Sequence, residues 1–224
     1  MSGLESSGEP GRSATRSPRS GILDHRLFHS TSGNIHGESS RMKDRRREGR
    51  AGGRVEAMAT KPLVAVEEYL RTSFDGPDRE YLDGEIVERN VGEKDHSRAQ
   101  KRLIEVFFEI EKRHRLFAFP ELRLRLGPRR FRIPDVCVFA GGEPEESVPT
   151  QPPLIAIEIA SPDDRLTDVV RKLEEFHAWG VSHVWLVDPT VKKLFVYTGS
   201  ALQQVSAFAV PEYGVEIPAT EILA

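Results

Sequence analysis

Two carboxylates in this 224-residue chain lie inside apolar runs, where an ionised side chain is costly to bury. Glu158 interrupts Leu154–Ala160 (LIAIEIA), a run typical of a strand that is buried on both faces. A carboxylate persists in such a strand when it is paired, protonated or bound to a cation. We therefore favour a metal-binding or catalytic role for Glu158 over that of a paired structural carboxylate.

Asp135 is the second carboxylate, and it follows Pro134 within the apolar run Ile133–Phe139. If this segment pairs with the strand of Glu158, both side chains project at the same end of the sheet. Two carboxylates, with water and a phosphate oxygen, form a typical Mg²⁺ or Mn²⁺ site. Such an ion stabilises negative charge on phosphoryl oxygens and lowers the pKa of an attacking water. The alternative is that Asp135 bonds backbone amides at a proline kink.

Lys172 supplies a cation to this pair. A helix is expected to open at Ser161 and to run to about Trp179, and Lys172 falls at the edge of its apolar face. The lysine is thus aimed at the sheet, whereas Arg171 and Glu175 are expected to point further into solvent. The alternative is a lysine whose stem packs on the surface and whose ammonium pairs with Asp168, one turn earlier.

Glu80 and His96 are weaker candidates, since each also fits an ordinary surface position. Glu80 begins a hairpin and would add a third carboxylate. His96 lies in the first turn of a long helix, where it would face a substrate phosphate. No Gly-x-Ser-x-Gly motif, Walker-type loop or zinc motif is present. The single cysteine, Cys137, lies in an apolar run and is expected to be a buried thiol, which fits a reducing cytoplasm.

Periodicity and turn residues predict an α/β sandwich with a mixed central sheet. Asp83-Gly84 between two short alternating runs predicts a hairpin, and Asp95 is expected to cap the long helix. The expected elements are a helix at Val66–Ser73, the hairpin within Glu80–Asn90, the long helix to about Arg115, strands at Leu116–Leu126, Phe131–Phe139 and Leu154–Ala160, the helix to Trp179 closed by Gly180, strands at Val181–Val187 and Leu194–Tyr197, and a last strand with an irregular tail.

Composition divides the chain near Met58. Residues 1–57 are rich in Gly, Ser and Arg and read as a disordered tail, and translation is expected to begin at Met58 instead of Met1. That segment holds 11 of the 32 basic and 7 of the 35 acidic residues, so residues 58–224 carry a net charge of about −7. An acidic domain counts against strong nonspecific DNA binding. No apolar stretch approaches the ~20 residues of a membrane span, and no secretory signal is expected.

Several short motifs, in this order and spacing, resemble the Uma-two family of restriction-endonuclease-like proteins, in the PD-(D/E)XK nuclease superfamily. The resemblance covers roughly Val64 to the C-terminus. The motifs are Glu80–Glu85 (EYLDGE), His96, Arg132–Val136 (RIPDV), Ile157–Pro162 (IEIASP), Asp168, Lys172, Gly180-Val181 and Trp185–Pro189 (WLVDP).

The resemblance implies a restriction-endonuclease-like core, a mixed central sheet flanked by helices, and Mg²⁺-dependent hydrolysis of DNA. Asp135 and Glu158 correspond to the two acidic motif positions, and Glu80 to an acid upstream of them. The usual lysine two places after the second acid is replaced by Ala160, and Lys172 stands in for it. A homodimer is also implied, because many nucleases of the superfamily cut both strands as dimers.

Two positions depart from the family pattern without touching the expected metal site. Phe176 stands where similar sequences carry a tyrosine, and His183-Val184 replaces an acid and an aromatic residue. Two other functions remain open beside a DNA endonuclease. One is a nuclease that acts on RNA or branched DNA, and the other is a catalytically silent nucleic-acid-binding or interaction module with the same fold.

Overall fold

The computed structural model describes residues 63–90 and 92–223, and the expectations for residues 1–57 and for Met58 lie outside these ranges. The helices are α1 (Val66–Arg71), α2 (Lys94–His114), α3 (Leu166–Trp179) and α4 (Ala219–Ile222), with a 3-10 helix at Pro211–Tyr213. The strands are β1 (Glu80–Leu82), β2 (Glu85–Val87), β3 (Leu116–Pro120), β4 (Leu124–Gly127), β5 (Arg130–Arg132), β6 (Val136–Ala140), β7 (Ile155–Ile159), β8 (His183–Asp188), β9 (Lys193–Tyr197), β10 (Leu202–Val205), β11 (Ala207–Val210) and β12 (Val215–Pro218). In these two ranges no helix combines the length and the apolar character needed to cross a bilayer.

A six-stranded mixed sheet in the order β10-β9-β8-β7-β6-β3 forms the centre of the fold. β7 and β8 run parallel, whereas the other neighbouring strands in this sheet are antiparallel. α3 connects the parallel pair, because two parallel strands need a crossover about as long as a helix. The prediction of an α/β fold with a mixed central sheet is confirmed.

Both faces of the six-stranded sheet are covered, which explains the apolar sequence of β7. Ile157 and Ile159 pack in one cluster with residues of α2. Ala156 packs in a second cluster with residues of α3. Successive strand residues alternate between faces, so Glu158, two residues after Ala156, lies on the α3 side.

A smaller antiparallel sheet in the order β2-β1-β5-β4 carries the predicted hairpin. Asp83 and Gly84, between β1 and β2, have φ angles of 53° and 107°. Two successive residues with positive φ are what a tight type I′ hairpin turn requires. The hairpin prediction is confirmed, and the hairpin places Glu80 at the start of β1.

Two segments that were each predicted as one strand divide between the two sheets. In 116–126, β3 joins the six-stranded sheet and β4 the smaller sheet, with Glu121 between them at a φ of 50°. In 131–139, β5 lies in the smaller sheet and β6 in the larger one. Pro134 separates β5 from β6, because proline has no N–H to donate to a strand ladder. The chain thus passes between the sheets at Pro134 and places Asp135 at their junction.

The long helix α2 begins earlier than predicted. Glu93 occupies the N-cap position, whereas Asp95 lies in the first turn and pairs with Arg98 at 3.4 Å. The prediction of Asp95 as the cap is therefore wrong, although an acid in the first turn still favours the positive end of the helix dipole. The apolar face is as predicted, with Ala99, Leu103 and Phe107 buried and Val106 and Ile110 partly buried.

α3 and the C-terminal segment also differ from prediction at their boundaries. α3 begins at Leu166, because the carboxylate of Asp164 accepts a bond from the Ser161 N–H at 2.7 Å and holds the preceding residues in a turn. Gly180 ends α3 in the left-handed conformation, as expected. In place of one strand and an irregular tail, the C-terminal segment forms β10, β11, β12 and α4. β11 and β12 form a separate two-stranded sheet.

Adjacent residues of α2 give a matched test of this packing, since Phe107 is fully buried and Phe108 is 59% exposed. We expect Phe107→Ala to lower the free energy of unfolding by about 3–5 kcal/mol, because truncation leaves a cavity against the sheet. Phe108→Ala should lower it by less than about 1 kcal/mol. Urea unfolding followed by circular dichroism measures both, and equal losses would contradict the placement of α2.

Candidate active site

Glu158 lies near the end of β7, on the sheet face that α3 covers, and only 8% of the residue is exposed. Its Oε2 atom is 2.9 Å from Nζ of Lys172. Its Oε1 atom is buried and has no hydrogen-bond partner among the described residues. A buried carboxylate oxygen without a partner is costly and uncommon. One oxygen of Glu158 therefore has acceptor capacity that a bound group can fill.

Asp135 comes directly before β6, and the antiparallel register of β6 and β7 places it opposite Glu158. The two carboxylates thus lie at the same end of the sheet, as the expected strand pairing requires. Asp135 Oδ2 accepts a bond from the backbone N–H of Ile159 at 2.7 Å. Its Oδ1 accepts one from Nη2 of Arg89, also at 2.7 Å. The carboxylate is fixed by the backbone on one side and by a side-chain cation on the other.

Lys172 is turned from α3 toward the sheet, with its ammonium next to the carboxylates. Its Nζ atom lies within 2.9 Å of three acceptors, which are the Ile133 carbonyl, Glu80 Oε1 and Glu158 Oε2. An ammonium has three N–H groups, so this arrangement uses its full donor capacity. Asp168, the alternative partner, pairs with Arg171 at 3.4 Å.

Glu80 is buried at the start of β1 and accepts bonds from three donors. Oε2 lies 2.6 Å from Nη1 of Arg132, and Oε1 lies 3.0 Å from the backbone nitrogen of Ile133 and 2.9 Å from Nζ of Lys172. Arg132 also makes a two-point bond with Glu175 at 2.8 and 2.9 Å. The expectation that Glu175 points into solvent is therefore wrong, because this glutamate turns back toward the buried arginine.

Two residues one helical turn apart on α2 approach Asp135 from the other side of the site. Nε2 of His96 lies 3.3 Å from Asp135 Oδ2. The side-chain amide of Gln100 donates to the backbone carbonyl of Asp135 at 3.0 Å. The start of α2 therefore contacts both the side chain and the backbone of Asp135.

The five residues singled out in the sequence, Glu80, Asp135, Glu158, Lys172 and His96, thus meet in one network of contacts. Sequence reasoning missed three residues that bind them, namely Arg89, Gln100 and Arg132. Arg132 could have been recognised from the sequence, because it is a charged residue directly before the Ile133-Pro134-Asp135 motif. Arg89 follows the hairpin in a segment without periodicity, so nothing local distinguished it.

Residues 66–223 match the model of the Uma2 family, described as "Putative restriction endonuclease". The chain belongs to the Uma2 family. The match spans the three sheets described above and all five site residues, and it assigns the chain to a nuclease family. No curated protein matches the chain.

Among solved structures, a protein from Anabaena variabilis described as a "putative nuclease belonging to DUF820" has a similar fold. Its TM-score is 0.62 at 24% sequence identity, and the alignment covers 70% of this chain and 96% of that protein. At this identity the similarity bears on the fold alone. The expected restriction-endonuclease-like fold is confirmed.

The Uma2 site contains carboxylates with opposite pKa shifts. Burial raises the pKa of Glu158 to about 8, and the nearby Asp135 and Glu80 charges add to the rise while Lys172 opposes it. Burial also acts to raise the pKa of Glu80 and Asp135, but neighbouring cations and hydrogen bonds outweigh it and lower both. Burial acts to lower the pKa of Lys172, and the three carboxylates outweigh it and raise the pKa. The lysine is therefore a cation at neutral pH.

A cleft of about 500 Å³ opens onto these residues. Arg89, His96, Asp135, Glu158 and Lys172 all contribute to its lining. Within residues 63–90 and 92–223, no three His, Cys, Asp or Glu side chains are grouped so that they could hold a metal ion on their own. Asp135 and Glu158 are a pair of opposed carboxylates on this lining, and two carboxylates suit Mg²⁺, which keeps several of its waters.

The raised pKa of Glu158 predicts a pH-dependent stability in the metal-free protein. The folded chain holds this proton more tightly than the unfolded chain, so the contribution to stability is complete below pH 4.5 and is lost as the pH rises to about 8. We expect the unfolding free energy of wild type minus that of Glu158→Gln to fall over this interval, by an amount on the order of a few kcal/mol. Urea unfolding in EDTA at a series of pH values measures the difference.

The control for this titration is Glu109→Gln, on an exposed part of α2. Its difference from wild type should show no comparable trend over the same pH interval. A pH-independent difference for Glu158→Gln would show that this carboxyl has no raised pKa.

Proposed function

We propose that the chain is a divalent-metal-dependent endonuclease that hydrolyses DNA phosphodiester bonds, with Asp135 and Glu158 holding Mg²⁺ or Mn²⁺. The observation that carries the proposal is the buried Oε1 atom of Glu158, which has no partner among the described residues and lies opposite Asp135 on the paired strand. A cation satisfies this oxygen and removes the cost of its burial. A bound divalent ion would stabilise charge on a phosphoryl oxygen and lower the pKa of a coordinated water.

The donor chemistry of the two carboxylates fits a hard cation. Mg²⁺ prefers oxygen ligands and is often bound through one or two carboxylates together with substrate phosphates and waters. Each carboxylate oxygen has two lone pairs, so the single bond from Arg89 to Asp135 Oδ1 leaves acceptor capacity on that side chain. The cleft in front of the pair supplies the space for water and for a phosphate group.

In this proposal Lys172 orients the water or the phosphate and balances negative charge in the transition state. Alanine stands at residue 160, the usual position of the lysine. The Lys172 ammonium contacts Glu158 from α3 instead. A raised pKa keeps the amine protonated at neutral pH, which suits a hydrogen-bond donor and not a general base.

Glu80 and His96 have supporting roles in the proposal. Glu80 as a third metal ligand remains a prediction, and its three present donors favour a role in positioning the Lys172 ammonium. His96 is a substrate-binding residue in this scheme, since it lines the cleft and touches Asp135. A homodimer that cuts both strands also remains a prediction.

A catalytically silent module and a ribonuclease are the alternatives that an experiment must separate. The absence of a lysine at position 160 favours a silent module, and the contact of Lys172 with Glu158 weakens that argument. The acidic net charge of residues 58–224 still favours a chain without strong nonspecific DNA binding. Structured RNA offered beside plasmid DNA distinguishes the substrates.

The test is plasmid nicking by the full chain with Mg²⁺ or Mn²⁺, compared with cleavage in EDTA. We expect Asp135→Asn and Glu158→Gln to lose activity by about 100-fold or more, because each removes a charged ligand of the ion. Lys172→Met should lose about 10- to 1000-fold, the range found when one donor to a developing charge is removed.

Matched controls come from the exposed face of α2, where Lys101→Met and Glu109→Gln make the same chemical changes far from the cleft. Both should cut like wild type. Metal-dependent cleavage that survives in Asp135→Asn and Glu158→Gln would refute the mechanism. Metal-dependent cleavage of RNA but not of DNA would favour a ribonuclease. If neither nucleic acid is cleaved, the silent module is favoured.

A further inference from the structure

Arg89 is bonded to one of the two proposed metal ligands. Its Nη2 atom lies 2.7 Å from Asp135 Oδ1, and its side chain is only 10% exposed. The other arm of the guanidinium makes a longer contact of 3.4 Å with the half-exposed Glu121. The family resemblance assigns no role to this residue, and the arginine also lines the cleft.

Of the donors to the Asp135 carboxylate, Arg89 is the one that lies outside the helices and strands. The Ile159 N–H belongs to β7 in the middle of the six-stranded sheet, and His96 stands on the 21-residue helix α2. Arg89 lies between β2, which ends at Val87, and α2, so neither a strand ladder nor a helix holds its backbone. Release of Arg89 therefore breaks no secondary structure.

Repulsion between like charges is the reason to expect release of Arg89 from Asp135. Arg89 neutralises Asp135 in the metal-free site, where the pKa of the arginine is raised by the Asp135 and Glu158 carboxylates against the effect of burial. A guanidinium at hydrogen-bond distance from Asp135 and a divalent cation on the same carboxylate repel each other strongly in a buried site. Metal binding thus competes with the Arg89–Asp135 bond.

A released Arg89 would remain in the cleft beside the proposed site of cleavage. Its planar guanidinium can bind two phosphate oxygens at once, which makes arginine well suited to phosphate recognition. The other two buried cations on the lining, Arg132 and Lys172, are each held by two buried or largely buried carboxylates, Arg132 by Glu80 and Glu175 and Lys172 by Glu80 and Glu158. Arg165 and Arg171 also line the cleft, but both are exposed. Arg89 is therefore the buried arginine of the cleft best placed to change partner.

We propose that Arg89 exchanges between two anions, the Asp135 carboxylate in the metal-free protein and a phosphodiester oxygen of the nucleic acid once the ion is bound. Arg89 thus weakens binding of the metal alone and favours binding of metal and substrate together. The inference rests on the proposed metal site and adds a phosphate-binding residue to it.

The test measures Mn²⁺ affinity without nucleic acid, by electron paramagnetic resonance of the free ion, on the full chain and on two variants. Arg89→Gln removes the charge and keeps a polar side chain at this position. It should bind Mn²⁺ about tenfold or more tightly than wild type, because no cation has to be displaced. Arg89→Lys keeps the charge and should bind Mn²⁺ within a few fold of wild type.

Cleavage at saturating Mn²⁺ should change in the opposite direction. Arg89→Gln should cut about 10- to 100-fold more slowly than wild type, because a charge-assisted bond to the phosphate is lost. A residue that only steadied Asp135 would give weaker metal binding together with slower cleavage. The opposed signs therefore separate exchange from a purely structural role.

Arg171→Gln is the matched control, since Arg171 lines the same cleft, is exposed, and pairs with Asp168 instead of a proposed metal ligand. If Arg171→Gln tightened Mn²⁺ binding as much as Arg89→Gln, the effect would come from the net charge of the cleft, and the inference would be overturned. Unchanged or weaker Mn²⁺ binding by Arg89→Gln, or unimpaired cleavage by it, would also overturn it.

Asp135→Asn separates failure of this inference from failure of the proposed function. If wild type binds Mn²⁺ and Asp135→Asn does not, the metal site stands, and the Arg89 variants alone decide the exchange. If wild type, Arg89→Gln and Asp135→Asn all bind no Mn²⁺, the proposed metal site fails and the exchange fails with it.

Discussion

The Lys172 ammonium is the contact on which the arrangement of the site depends. It joins Glu158 of the six-stranded sheet, Glu80 of the smaller sheet and the Ile133 carbonyl in the segment that connects them. Without this cation, buried carboxylates from two different sheets would face each other with too little positive charge between them. The lysine thus has a structural reason to be on α3, in addition to any part in chemistry. Ala160, two residues after Glu158, lies just beyond the end of β7, so a lysine there would approach the carboxylates from the sheet and not from α3.

The sequence was most informative where a single residue conflicted with its surroundings. Glu158 in an apolar strand and Asp135 after Pro134 could both be recognised, because desolvation of a carboxylate is costly wherever the strand packs. The Asp83-Gly84 hairpin could also be predicted, since positive φ at two successive positions is a local requirement. By contrast, the division of 131–139 between two sheets depends on pairing partners far away in the chain. Arg89 and Glu175 were missed or misplaced for the same reason, because their partners belong to other elements.

The charge distribution of residues 58–224 affects how this part of the chain can bind a polyanion. Residues 58–224 are acidic overall, and several of the arginines near the site are held by carboxylates. Positive potential at the cleft is therefore local and depends on how these ion pairs are arranged. Long-range electrostatic attraction therefore contributes little to binding of a polyanion, which depends on cations that become available within the cleft.

The position of Pro134 and Asp135 between the two sheets affects when the site forms during folding. Ile133 bonds Glu80 across 53 residues and Lys172 across 39, and Asp135 bonds Ile159 across 24. Contacts of this sequence separation close late, because the entropy of bringing distant segments together must be overcome first. A chain whose synthesis has not reached α3 lacks Lys172, so Glu80 and Glu158 do not yet have the ammonium that joins them. Assembly of the site therefore waits until α3 is synthesised and packed against the sheet.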